Sequence, residues 1–201
     1  AARVVCVEKV AWLSEITEYN FGVLGLRNCS FLCADVAKQS LESILQTVAL
    51  SSVDVIYLDP SRRNENTQQR VYAIEDCSPD VKAMMGDLLS VAPHIIIKLS
   101  PMVDLKALER NFNGLCDIHV LSLKNECKEV LGEIRRDYNG KVLYHAADLT
   151  KGGFGTLSFS RDEDEIFKQA GDRYSQVGKY LFEPDVSLMK IGFFSPLIEK
   201  Y

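Results

Sequence analysis

Short apolar runs alternate with helical periodicities along the first 123 residues of the chain. The apolar runs are of strand length, and they predict strands at 3–7, 29–33, 53–58, 94–99 and 117–123. Between them, apolar residues recur every three or four positions, which predicts helices from about residues 10, 41, 81 and 105. Strands that alternate with helices typically form a parallel sheet with helices on both faces.

The pattern changes after residue 123. Segments 127–135 and 141–147 flank Asn139-Gly140, which is a strong hairpin signal, and residues 156–160 alternate as a further strand. A last helix is expected from Asp185. We therefore predict a Rossmann-like α/β sheet over 1–160, mostly parallel with an antiparallel C-terminal hairpin. A small appendage is expected over 161–201.

Composition narrows the class of protein. Of the 201 residues, 47% are hydrophobic and 25% are charged, as in ordinary soluble globular proteins. No membrane span or signal peptide is visible, so we expect a cytoplasmic protein without a membrane partner. Because the net charge is −5, a nucleic-acid partner would have to meet a local basic patch. The six cysteines show no metal-ligand spacing, so we expect buried reduced thiols and no metal. Oligomeric state is not indicated.

Acidic residues follow three of the predicted strands: Glu8, Asp35 and Asp59. In open α/β sheets the carboxyl ends of the strands line the crevice where ligands bind. One carboxylate there can accept hydrogen bonds from two ribose hydroxyls, and a second can meet an adenine amino group. Asp59 precedes Pro60, which cannot continue a central strand because it lacks an N–H. Asp59 is therefore placed to polarise a substrate amine.

The order and spacing of these residues resemble class I S-adenosylmethionine-dependent methyltransferases. A closer resemblance is to a bacterial group regarded as RNA methyltransferases with a THUMP-like C-terminal segment, which here would begin at Leu181-Phe182-Glu183-Pro184. That closer resemblance is carried by Tyr57-Leu58-Asp59-Pro60-Ser61-Arg62-Arg63, Asp76-Cys77-Ser78-Pro79-Asp80, Lys98-Leu99-Ser100-Pro101-Met102 and Asn125-Glu126-Cys127-Lys128-Glu129.

The resemblance implies S-adenosylmethionine as cofactor and RNA as substrate, with a base amino group as the favoured acceptor. Glu8 would bind the ribose, and Asp35 would lie beside the adenine. Asp59 and Pro60 would face the methyl group. Arg62 replaces an aromatic residue that would stack on a flipped base, so it would either stack by its guanidinium plane or contact a phosphate.

Basic residues near Asp59 are the candidates for binding the substrate. Arg62, Arg63 and Arg70 cluster on the segment after the third strand, and Lys98 ends the fourth strand. If these side chains meet RNA, they would contact phosphates. A solvated basic loop and a solvated lysine at a strand end are the alternatives.

One departure concerns the start of the chain. It begins at what resembles the second strand of the methyltransferase sheet, and nothing before Arg3 supplies the Gly-rich loop that holds the cofactor. We therefore expect a fragment that binds S-adenosylmethionine weakly or not at all. Two other classes remain open: a nucleotide-binding oxidoreductase, which would share the sheet and the ribose acid, and a non-catalytic RNA-binding module.

Overall fold

Strands and helices alternate up to the fifth strand, as the sequence predicts, and are followed by three more strands and a short helix. The structure, a computed structural model, describes residues 3–61, 77–150, 155–161, 178–181 and 183–193. The strands are β1 Val4–Glu8, β2 Cys29–Cys33, β3 Val55–Leu58, β4 His94–Leu99, β5 Leu115–Leu123, β6 Glu126–Arg135, β7 Leu143–Asp148 and β8 Gly155–Ser160. The helices are α1 Ala11–Val23, α2 Leu41–Gln46, α3 Val81–Val91, α4 Leu105–Asn111 and α5 Val186–Ile191.

The strands form two hydrogen-bonded sheets within the described residues. β1 and β2 pair in parallel as a two-stranded sheet. The other six strands are ordered β3-β4-β6-β5-β7-β8. β3, β4, β5 and β7 run in one direction, whereas β6 and β8 run in the other. The fold is therefore mixed α/β with a mostly parallel central sheet.

The hairpin predicted at Asn139-Gly140 is not formed. β6 instead turns back beside β5 through Lys124 and Asn125, whose φ angles are 53° and 57°, and it also pairs with β4. Consecutive residues with positive φ are typical of a type I′ hairpin turn. Insertion between two strands completely buries Val130 and Ile134, the β6 side chains that face the core. This burial outweighs the local turn preference of Asn-Gly.

One face of the six-stranded sheet carries the hydrophobic core. Side chains at alternate strand positions pack there with residues of α3, α4 and α5, and the most buried of them are Ile95, Ile97, Ile118, Val120, Val130, Ile134 and Tyr144. The opposite face is partly exposed, and its side chains are mostly polar. The expectation that helices cover both faces is therefore wrong for this sheet within the described part of the chain.

Helix α5 and Phe193 pack on this same sheet. α5 contacts β5, β6 and β7, and Ile191 and Phe193 belong to the core. The domain boundary predicted at residue 160 stays a prediction. None of the described helices is long and apolar enough to cross a bilayer.

The six cysteines are all free thiols. The expectation that they are buried holds only for Cys116, whereas Cys33 is exposed. Cys33 is exposed because it ends β2, in a two-stranded sheet that lies outside the main core.

Candidate functional site

Asp59 follows directly on the carboxyl end of β3, as predicted. Pro60 behind it is buried. The next residue forms an isolated antiparallel bridge: the Ser61 amide donates to the Ser78 carbonyl at 2.8 Å, and the Ser78 amide donates to the Ser61 carbonyl at 3.0 Å. The backbone around Asp59 is therefore fixed on both sides, by β3 and by the segment that leads into α3.

Lys98 of β4 is brought against Asp59 by strand register. Both residues come one position after the paired Leu58 and Ile97, and Nζ of Lys98 lies 2.5 Å from Oδ2 of Asp59. The hydrogen bond to Asp59 raises the pKa of Lys98, so the lysine is cationic at neutral pH. The side chains of Asp59 and Lys98 are 51% and 28% exposed, which leaves the carboxylate accessible to a substrate.

Glu8 and Asp35 lie at the carboxyl ends of β1 and β2. Oε1 of Glu8 accepts a hydrogen bond from the Val10 amide at 2.8 Å. Oδ1 of Asp35 accepts from the Ala37 amide at 3.0 Å, and Oδ2 lies 3.2 Å from Nζ of Lys38. These contacts lower the pKa of Asp35.

The two acids fit a nucleoside to different degrees. Within the described residues, Oε2 of Glu8 accepts no hydrogen bond, so it can receive a ribose hydroxyl. Asp35 has a local partner on each oxygen and must use a remaining lone pair for an adenine amino group. The residues present are therefore compatible with the nucleoside part of S-adenosylmethionine, more clearly at Glu8.

The predicted site residues fall into two groups. Glu8 and Asp35 share one end of the small sheet, and Asp59 and Lys98 share one end of the large sheet. No strand pairing joins the two sheets within the described ranges. Arg62, Arg63 and Arg70 lie outside the described residues.

A third group of ionisable side chains, which the sequence pattern did not single out, lies on the large sheet. All three histidines of the chain lie on the polar face of the large sheet, with Glu133 hydrogen-bonded to His94 at 3.0 Å and to His119 at 2.9 Å. His145 lies 2.7 Å from Asp117. Burial and the neighbouring His145 lower the pKa of His119. The only signal in the sequence is that these histidines alternate with buried apolar residues along their strands.

A solved structure has a fold similar to that of this chain. The crystal structure of a putative methyltransferase from Porphyromonas gingivalis W83 superposes with a TM-score of 0.82 and 26% sequence identity. The match covers 99% of this chain and 48% of that protein, so this chain spans about half the length of that protein. No family model matches the sequence, and no curated protein matches it. The likeness shows a methyltransferase-like fold and favours an enzyme.

Proposed function

We propose that the protein is an S-adenosylmethionine-dependent methyltransferase that acts on an amino group of an RNA base. The observation that carries the proposal is the position of Asp59 at the carboxyl end of β3, between buried Pro60 and the ion pair with Lys98. A fold shared with a protein described as a putative methyltransferase supports the same reaction.

Asp59 would orient the attacking amine. Methyl transfer from a sulfonium is an in-line displacement, for which positioning and electrostatics supply most of the rate. Because Lys98 occupies Oδ2, Oδ1 of Asp59 is left to accept a hydrogen bond from the amine and align its lone pair. The carbonyl of Pro60 offers a second acceptor. Asp59 does not need to be a strong base, since the protonated product can release its proton to water.

Glu8 is the residue we expect to contribute most to cofactor binding. When bound, S-adenosylmethionine supplies the methyl group, and Glu8 would accept hydrogen bonds from its ribose. Replacement of Glu8 by alanine in the full-length protein should weaken cofactor binding by roughly 1.5–3 kcal/mol, the worth of a charge-assisted hydrogen bond. Glu15→Ala, an exposed position on α1, is the matched control in calorimetry. Unchanged affinity in Glu8→Ala would remove Glu8 from the site.

RNA is the proposed substrate because several arginines follow Asp59 in the chain and because the sequence motifs resemble those of RNA methyltransferases. Each arginine that contacts a phosphate should contribute about 0.7–0.9 to the slope of log affinity against log salt. Replacing Arg63 and Arg70 together should therefore flatten the slope by roughly 1.5. An unchanged slope would leave the segment as a solvated surface. Arg62, next to Asp59 in the chain, should affect turnover more than affinity.

The decisive test is substitution of Asp59 in the full-length protein, assayed by transfer of labelled methyl groups to RNA. Asp59→Ala should lower the rate at least about a hundredfold, the scale of one lost positioned polar group, with little change in cofactor affinity. Asp59→Asn should lose less because its amide oxygen still accepts from an amine. Asp54→Ala, exposed just before the same strand, should keep the wild-type rate. A near wild-type rate in Asp59→Ala would refute the assignment.

A further inference from the structure

The histidines of the polar face are aligned by strand register. His119 of β5 is the register partner of His145 of β7, which in turn is the partner of Ser158 of β8. The imidazole rings of His119 and His145 stack with centroids 4.5 Å apart and an interplanar angle of 16°. Asp117, two residues before His119 on the same face of β5, is the register partner of Glu133 of β6. Four ionisable side chains are thereby brought together by β5, β6 and β7.

Each histidine of the stacked pair has a carboxylate on one nitrogen. Nε2 of His145 lies 2.7 Å from Oδ1 of Asp117, and its Nδ1 lies 2.8 Å from the hydroxyl of Ser158. Nε2 of His119 lies 2.9 Å from Oε1 of Glu133. Ligand atoms of Asp117, His119 and His145 all lie within 4.8 Å of one another. The side chains are 15–28% exposed, so the cluster is neither sealed in the core nor fully solvated.

We propose that Asp117, His119 and His145 bind a divalent transition-metal ion such as Zn²⁺. Imidazole and carboxylate are ligands that zinc prefers, at about 2.0–2.2 Å in tetrahedral sites. Such bond lengths bring ligand atoms to roughly 3.4 Å from one another. The side chains of the three ligands must therefore rotate toward one another while the backbone of the sheet stays in place. The ring stacking of His119 and His145 would then give way to convergence of their nitrogens on the ion.

The contacts around the three ligands are those that orient histidines at metal sites. A metal-bound imidazole usually gives its second nitrogen to a carboxylate, a carbonyl or a similar acceptor. Ser158 is in that position for Nδ1 of His145, and Glu133 is in that position for Nε2 of His119. Three protein ligands leave a fourth position for water, which the partly exposed face can supply.

Charge also favours a cation here. Asp117 and Glu133 place two carboxylates on one small area of the sheet. Their partners are the histidines and Arg135, whose guanidinium lies 3.9 Å from Glu133. A dication would neutralise both carboxylates.

The test is titration of the reduced 201-residue chain with Zn²⁺ by competition against a chromophoric chelator, and with Co²⁺ by its visible absorption. We expect one ion per chain. His119→Gln and His145→Gln should each weaken Zn²⁺ binding at least about tenfold, in the range known for altered metal sites. His94→Gln is the control on the same face, because His94 contacts Glu133 but lies outside the ligand set. Cys33→Ser controls for binding by an exposed thiol.

Three results would overturn the proposal: no Zn²⁺ binding by the wild-type chain, affinity unchanged in both ligand variants, or affinity lost in Cys33→Ser. If the variants fail to fold, proton NMR of the wild-type chain decides the question, since it has only three histidines. Zn²⁺ should shift the ring resonances of two histidines and leave those of the third nearly in place. Shifts of none, or equal shifts of all three, would show that the cluster is a hydrogen-bonded network without a metal.

Discussion

Asp185 ties α5 to the buried face of β5, and its replacement by alanine should destabilise the protein by more than loss of a helix cap alone. Its Oδ1 accepts hydrogen bonds from the Ser187 amide at 2.8 Å, the Ser187 hydroxyl at 2.6 Å and the Ser122 hydroxyl at 2.7 Å. Both serines are at most 1% exposed. A lost N-cap costs about 1 kcal/mol, and a buried hydroxyl without its acceptor costs about 1–3 kcal/mol. We therefore expect Asp185→Ala to lower the free energy of unfolding by about 2–4 kcal/mol.

Urea denaturation at pH 7, followed by circular dichroism, measures this loss because α5 packs on the central sheet and should unfold with it. Asp104→Ala is the matched control. Asp104 caps α4 by accepting from the Lys106 amide at 2.9 Å, but its side chain is 63% exposed. The control should lose only about 1 kcal/mol. Equal losses in the two variants would show that the bonds from the buried hydroxyls of Ser122 and Ser187 contribute nothing.

The same carboxylate makes stability depend on acidic pH. Burial opposes ionisation of Asp185, but the hydrogen bonds from Ser187 and Ser122 outweigh it and lower the pKa. Because the pKa of Asp185 is lower in the folded state, the unfolded chain binds more protons at acidic pH. The contribution of Asp185 to the free energy of unfolding is complete above an ordinary carboxyl pKa of about 4. It is lost as the pH falls through the pKa of the folded state. The stability difference between wild type and Asp185→Asn should therefore shrink below about pH 4.

The same urea titration tests two further substitutions, one at a turn before β5 and one in the core. Gly114 has φ +80°, and a Cβ there would lie 2.5 Å from the carbonyl oxygen of Arg135, so Gly114→Ala should cost at least about 2 kcal/mol. Gly86, in α3 with open space around it, is the control, and Gly86→Ala should stabilise by about 0.5–1 kcal/mol; the same sign for both would contradict this. Tyr144→Phe removes a buried hydroxyl that donates to Glu109, and it should lower the free energy of unfolding by about 1–2 kcal/mol. Unchanged stability would show that this hydrogen bond does not stabilise the fold.

Local signals in the sequence predicted several elements well. The strands at Cys29–Cys33 and His94–Leu99 have the predicted bounds. Asp104 and Asp185 cap the helices they were expected to begin. These features depend on neighbours in the chain: apolar runs of strand length and a carboxylate that accepts from an amide two residues on. They can therefore be read without knowledge of the tertiary structure.

Pairing between distant strands could not be predicted in the same way. The hairpin turn forms at Lys124 and Asn125, although Asn139-Gly140 is the stronger local signal. It forms there because pairing with both β4 and β5, which buries β6, decides where β6 lies. The alignment of His119 with His145 depends on the same pairings. Nothing within a few residues of either histidine reveals the other.

Helix α1 shows a further limit of periodicity. Its residues form the predicted helix, but Trp12, Ile16, Tyr19 and Val23 are 49–72% exposed, and Ser14 is its one buried residue. These four apolar residues recur at i, i+4, i+7 and i+11, the spacing of a single helix face. Periodicity predicts that a face is apolar, but it does not say which part of the molecule covers it.

The two proposed sites share one face of the sheet, yet strand geometry indicates that they act independently. Lys98 and His119 are both register partners of Leu131, so the sites lie at the same level of the sheet. Asp59 and His119 are separated by the steps β3 to β4, β4 to β6 and β6 to β5, about 14 Å at the usual strand spacing. That distance exceeds both the range of about 7–10 Å within which substitutions couple and the Debye length of about 8 Å at physiological salt. Asp59→Ala should therefore abolish most methyl transfer while leaving the Zn²⁺ affinity unchanged. A tenfold change in Zn²⁺ affinity would instead mean that β4 transmits the loss of the Lys98 partner across the sheet.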